Sequence, residues 1–155
     1  MFGDGILDAL DALHLGNVGP RVVMGPEFGH HIQFERNLFE SDLEGPEATR
    51  RTELMADAFA TYFGVHKRGL ALRARGTRAA VRTFYEVGDC SFDSPGHHGT
   101  PNQRARSARW GAHVARSTRP QWRILPSVVF AARFEARPAE LIAPDAARQA
   151  PRTGA

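Results

Sequence analysis

Two short segments carry the side chains best suited to chemistry: Pro26-Glu27-Phe28-Gly29-His30-His31 and Glu53-Leu54-Met55-Ala56-Asp57. Residues four apart on an α-helix share one face. In an H-E-x-x-H pattern two imidazoles can therefore bind one zinc while the glutamate beside the first activates a water. The third ligand comes from another element, and a glutamate in an E-x-x-x-D pattern can supply it, with the aspartate orienting a ligating histidine. Glu53 and Asp57 have that spacing. Plainer readings stand beside this one. Glu27 near a helix start is favoured by the backbone dipole, and His30-His31 can be an ordinary surface pair. Glu53 and Asp57 can be a solvated face with slight mutual repulsion.

Two helices have to position these groups. Phe28, Ile32, Leu38 and Phe39 recur at helical spacing and predict a helix over residues 26–40. Pro26 falls in its first turn, where a missing amide hydrogen costs nothing. Residues 22–25 are then either extended or a separate helical turn kinked at Pro26. Gly45-Pro46 opens a second helix, whose apolar face is Leu54, Ala58, Phe59, Tyr62 and Phe63 and which ends between residues 64 and 69. A third helix over residues 77–87 is anchored by Val81, Phe84 and Tyr85, and residues 88–99 form a loop dense in turn formers. Thr100-Pro101 supplies the N-cap and first-turn proline of a fourth helix that runs to about residue 115. Ile6, Leu7, Leu10, Leu13 and Leu15 predict a short amphipathic helix before Gly16-Asn17, and residues 124–130 are the one candidate strand. From Pro138 the chain is rich in Pro, Ala and Arg, which predicts a loosely held tail. The expected architecture is mainly α: a helical domain over residues 1–137 with a two-helix site core, and a flexible tail over residues 138–155.

A chain of 155 residues, 42% hydrophobic and 24% charged, has the make-up of one ordinary globular domain, which excludes a coiled coil, collagen and global disorder. No apolar run approaches the roughly 18 residues of a membrane-spanning helix. The one cysteine, Cys90, cannot form an internal disulfide and reads as a small packed or loop residue. The opening residues lack the basic and apolar regions of a secretory signal, so a cytoplasmic location is the default expectation. Charge is strongly polarised along the chain. Residues 1–66 carry 11 acidic and 4 basic side chains, a net of −7, and residues 67–155 carry 6 acidic and 16 basic, a net of +10. Lys67 is the only lysine. An arginine-rich half is the footprint of a nucleic-acid binder and equally of a solvated basic face. For Arg104, Arg106, Arg109 and Arg116 the solvated face is the preferred reading, and Trp110 and Trp122 read as core or interface anchors.

The chain resembles the neutral zinc metallopeptidase family of bacterial proteins, a gluzincin-like group. The resemblance rests on Glu27-Phe28-Gly29-His30-His31-Ile32-Gln33, Glu53-Leu54-Met55-Ala56-Asp57-Ala58-Phe59-Ala60, Val87-Gly88-Asp89 and His98-Gly99-Thr100-Pro101-Asn102-Gln103-Arg104, in the family's order across residues 20–115. Position by position it implies Glu27 as the catalytic general base, His30 and Glu53 as zinc ligands and Asp57 as the partner that orients them. It also implies more sequence before the first motif. Pro26 stands where the family has its first histidine and offers no donor atom, whereas a catalytic zinc takes three protein ligands plus water. The expectation is a zinc metallopeptidase homologue, acting on a peptide or protein through a metal-activated water, that is impaired or inactive as a pseudoenzyme, with zinc weakly bound or absent. His31, His97 and His98 are the candidates to replace the lost ligand. His31 points roughly 100° around the helix from His30. The alternatives are a non-catalytic descendant that binds a peptide or protein partner and, ranked last, a nucleic-acid-binding module.

Overall fold

The computed structural model describes residues 18–91, 94, 96–120 and 123–137. They are mainly helical: α1 (Val18–Val23), α2 (Gly25–Glu35), α3 (Gly45–Val65), α4 (Ala74–Glu86), α5 (Pro101–Ser117) and α6 (Ser127–Glu135). The expected helix over residues 6–15, the tail over residues 138–155 and Trp122 lie outside the described residues.

The longest helix, α3, is the axis of the bundle. It packs against α2 and α5, α5 also packs against α4, and α1 rests on α4. Its face of Leu54, Met55, Ala58, Phe59 and Tyr62 is buried in one core cluster with Ala112, Ala115, Phe130 and Phe134. A second cluster under α1 and α4 gathers Val22, Ala60, Ala80, Phe84 and Ala108. Each fully buried large side chain contributes about 1.5–3 kcal/mol.

Small residues let the helices come close. A methyl group on Gly29 of α2 would lie 2.8 Å from Ala56 Cα, and one on Gly111 of α5 would lie 2.2 Å from the Ala58 carbonyl oxygen. The two neighbours therefore touch the backbone of α3 on two sides. Trp110 of α5 meets Phe130 and Phe134 of α6 edge-on, with ring centroids 5.0 and 5.6 Å apart, so it is a core anchor as the sequence implied.

The helix starts follow the prolines. α2 carries Pro26 and α3 carries Pro46 in the first turn. α5 opens with a reciprocal cap in which Thr100 Oγ1 accepts from Gln103 N and Gln103 Oε1 accepts from Thr100 N. Of the two readings for residues 22–25, the separate helical turn is the observed one: α1 ends at Val23, just before Pro26.

Two expectations are corrected. The helix predicted to reach residue 40 stops at Glu35, because Asn37 takes a left-handed conformation (φ 51°). Leu38 N then bonds to Gln33 O (2.8 Å) and Asn37 N to Phe34 O (3.1 Å), which closes the helix and turns Leu38 onto the core. Residues 124–130, read as a strand, instead lead into α6. Phe130, Ala131 and Phe134 bury one helical face, and the described residues contain no strand that could pair with this segment. Leu125 N donates to Tyr62 Oη (2.8 Å) and His66 Nε2 to Arg123 O (3.1 Å), which pins the approach to α6 against α3. No helix among the described residues is long and apolar enough to cross a membrane.

Candidate functional site

The close approach of α2 to α3 at Gly29 sets His30 opposite Glu53. Nε2 of His30 lies 3.2 Å from Glu53 Oε1, and both side chains are mostly covered. The other ring nitrogen, Nδ1, is 2.9 Å from Gln33 Oε1, while Gln33 Nε2 donates to the Thr52 carbonyl (2.9 Å). Because Gln33 spends its amide protons on Thr52, its oxygen can only accept, so the proton belongs on His30 Nδ1. Nε2 faces the Glu53 carboxylate directly, so a doubly protonated His30 donates to Gln33 from Nδ1 and to Glu53 from Nε2. The Glu53 hydrogen bond lifts the His30 imidazole above its ordinary value against the opposing pull of burial. Burial also pushes the Glu53 carboxyl upward, but His30, His98 and Arg104 outweigh it and hold Glu53 low.

Asp57, one turn further along α3, is fully buried and does not meet a histidine side chain. It is gripped from two sides by Arg104 of α5, with Nε on Oδ2 (2.7 Å) and Nη2 on Oδ1 (2.6 Å). Arg104 Nη1 also donates to the Val87 carbonyl (3.3 Å). Burial pushes the Asp57 carboxyl up to about 6 in spite of this cation. The solvated-face reading of Arg104 is therefore corrected: its side chain is buried and locks α5 to α3. Arg109 and Arg116 are exposed as that reading had it.

The loop after α4 closes over the same end of the bundle. Asp89 Oδ1 lies 2.6 Å from Nδ1 of the buried His97, and Oδ2 accepts from His98 N (3.1 Å). Burial raises the Asp89 carboxyl, and the bonds from His97, Ser91 N and His98 N more than offset this and hold it low. Asp89 N bonds to Gly99 O (3.0 Å), and Gly99, at φ +107°, lies against Leu54 and Arg104. His30 and Gln33 of α2, Glu53 and Asp57 of α3 and Arg104 of α5 are thus linked by contacts or charge, with Val87 bonded to Arg104 and the charge of His98 reaching Glu53.

Not every candidate joins them. Glu27 points into solvent and acts on His30 only through its charge. Pro26 is buried in the first turn of α2 with no donor to offer. His31 faces away, into a different groove, as its position around the helix implied. His97 is engaged by Asp89, and His98 is half exposed with its charge felt at Glu53. Cys90 is exposed, on the loop rather than packed. Among the described residues no group of three or more His, Cys, Asp or Glu side chains is placed to hold a metal ion. Two convergent donors, His30 and Glu53, do not meet the three-ligand requirement of a catalytic zinc.

Sequence reasoning gave Gln33 and Asp89 no role, and Arg104 the wrong one. Gln33 carried a signal, since it sits three residues after His30 on the same helix face. Arg104 carried none, because a buried arginine is recognisable only once its carboxylate partner is located. No protein-family model matches this chain, and comparison with curated proteins and with solved structures likewise gives no match.

Proposed function

We propose that this chain is a zinc metallopeptidase homologue that has lost metal-dependent hydrolysis and keeps the remains of the site as a polar clasp between α2 and α3. The observation that carries this reading is the 3.2 Å contact of His30 Nε2 with Glu53 Oε1, one turn from the buried Pro26. In an intact site of this kind the zinc would polarise the scissile carbonyl and acidify its bound water. Here Gln33 orients the imidazole, Glu53 receives it, and the Asp57–Arg104 pair holds the floor beneath them.

The test is the zinc content of purified protein after exposure to zinc and dialysis, with casein cleavage measured in parallel. Substoichiometric zinc and negligible cleavage are expected, whereas chelator-sensitive proteolysis by the natural sequence would overturn the reading. Pro26→His returns an imidazole to the position one turn before His30. It is expected to tighten zinc binding at least about 10 to 100-fold, the scale on which even outer partners act. If it recruits no zinc, the kinship with metallopeptidases fails.

A groove of about 450 Å³ favours a second reading, a non-catalytic peptide binder. His31, Phe59, Tyr62, Phe63, Ile124 and Phe130 are among its lining residues. On this reading an apolar peptide binds in the presence of chelator, and Phe63→Glu abolishes the binding.

A further inference from the structure

Away from the His30–Glu53 cluster, α4 and α5 enclose an open groove of about 780 Å³ whose lining is basic. Arg78, Arg82 and Tyr85 line it from α4, at a spacing of four and then three residues that puts them on one helical face. Arg109 and Arg116 line it from α5, two turns apart. No acidic residue is among those lining it. Arg82 pairs with Glu86 beside the groove, and Arg116 Nη2 donates to Thr77 Oγ1 (2.8 Å) on the groove wall. Arg78 and Arg109 are exposed and, among the described residues, have no ion-pair or hydrogen-bond partner. Tyr85 is 42% exposed.

We propose that this groove binds a short stretch of single-stranded nucleic acid. Arg78 and Arg82 are about 6 Å apart along α4 and Arg109 and Arg116 about 10 Å apart along α5, at about 1.5 Å per residue, which matches a run of charges rather than one. At about 3.4 Å of rise per nucleotide in a strand, that length takes two or three phosphates. Guanidinium groups bind phosphate through two parallel hydrogen bonds and also stack on flat rings. The exposed tyrosine among them supplies a face for a base, which an acidic peptide would not use. A concave trough between two helices admits a strand, and a duplex presents too broad a surface to enter it.

The test uses the full chain and a fluorescently labelled oligouridylate octamer, read by anisotropy across a salt series. Binding is expected at low salt, with log K falling linearly against log salt at a slope of about −1.5 to −2. Arg78→Glu with Arg109→Glu changes two exposed, unpartnered side chains, so circular dichroism should be unaltered while affinity falls about tenfold or more and the salt slope becomes shallower. Tyr85→Ala, also exposed, is expected to weaken binding about 5-fold or more through lost stacking and to leave the slope unchanged. No binding at low salt would overturn the proposal. So would unaltered affinity in these variants, a duplex that binds more tightly than the single strand, or displacement of the octamer by polyglutamate of equal charge.

Discussion

At the scale of single residues the Asp57–Arg104 pair is the costliest feature of the site, because two opposite charges are held with almost no water. Removing one partner of such a pair costs about 3–5 kcal/mol, since the other is left buried and uncompensated. Arg104→Ala is therefore expected to lose about that much stability at pH 8, measured by urea denaturation. Asp57 in the folded protein already holds its proton up to about 6, above its ordinary 3.8. Between those values the folded state binds more protons than the unfolded one, so this group adds stability as pH falls from about 6. Without Arg104 the opposing positive charge is gone and the folded value climbs further. The deficit of Arg104→Ala should then shrink between pH 8 and pH 5; an equal deficit at both would show that Asp57 is not the group left stranded. His30 behaves as a cation partner of Glu53. Its raised value means that the stabilisation is complete below about 6.5 and is lost as pH rises through the folded value. In an NMR titration Glu53→Gln should move the His30 midpoint down; an unmoved midpoint would dissociate the two side chains.

At the scale of elements, the site depends on how closely α2 can lie on α3. Alanine is favoured over glycine inside a helix by about 1 kcal/mol, yet at Gly29 the added methyl would meet Ala56 Cα at 2.8 Å. Backbone does not yield as a flexible side chain does. Gly29→Ala is thus expected to be destabilising by about 1–3 kcal/mol and to return the His30 titration toward its ordinary value as the helices part. A gain in stability would mean that the propensity term wins and the approach is not tight. The elements themselves were largely legible, because prolines and caps are local signals: Pro26, Pro46 and Thr100-Pro101 mark the starts of α2, α3 and α5. The end of α2 was not, since Leu38 and Phe39 continue the apolar period past the left-handed Asn37. Residues 124–130 misled for a related reason: a short β-branched run reads alike as a strand or as a buried helical turn, and the choice was made by Phe59, Tyr62 and Trp110, which pack on Phe130. His30 and Glu53 were legible as a pair only through the family resemblance, since each taken alone reads as a surface residue. Arg104 and Asp89 were not, because their roles exist only between elements.

At the scale of the whole molecule, the question is whether the fold needs a metal at all. The two core clusters run through every described helix except α2, which reaches them through the partly buried Ile32 and its glycine contacts on α3. Arg51 adds a tie independent of the site, donating to the Leu38 carbonyl (2.6 Å) and pairing with Glu135 of α6. A ligand that binds only the folded state at a hundred times its Kd adds about 2.7 kcal/mol. In a chain of this size that is about 5–10 °C in Tm. With only His30 and Glu53 as convergent donors, the expectation is a Tm that moves by less than about 1 °C when zinc is added or a chelator applied. Pro26→His, with three donors, should gain several degrees with zinc and lose them with chelator. A natural-sequence protein that rises by 5 °C or more would instead have found its third ligand. The Tm of His98→Ala would then identify it, since His98 is the histidine whose charge already reaches Glu53.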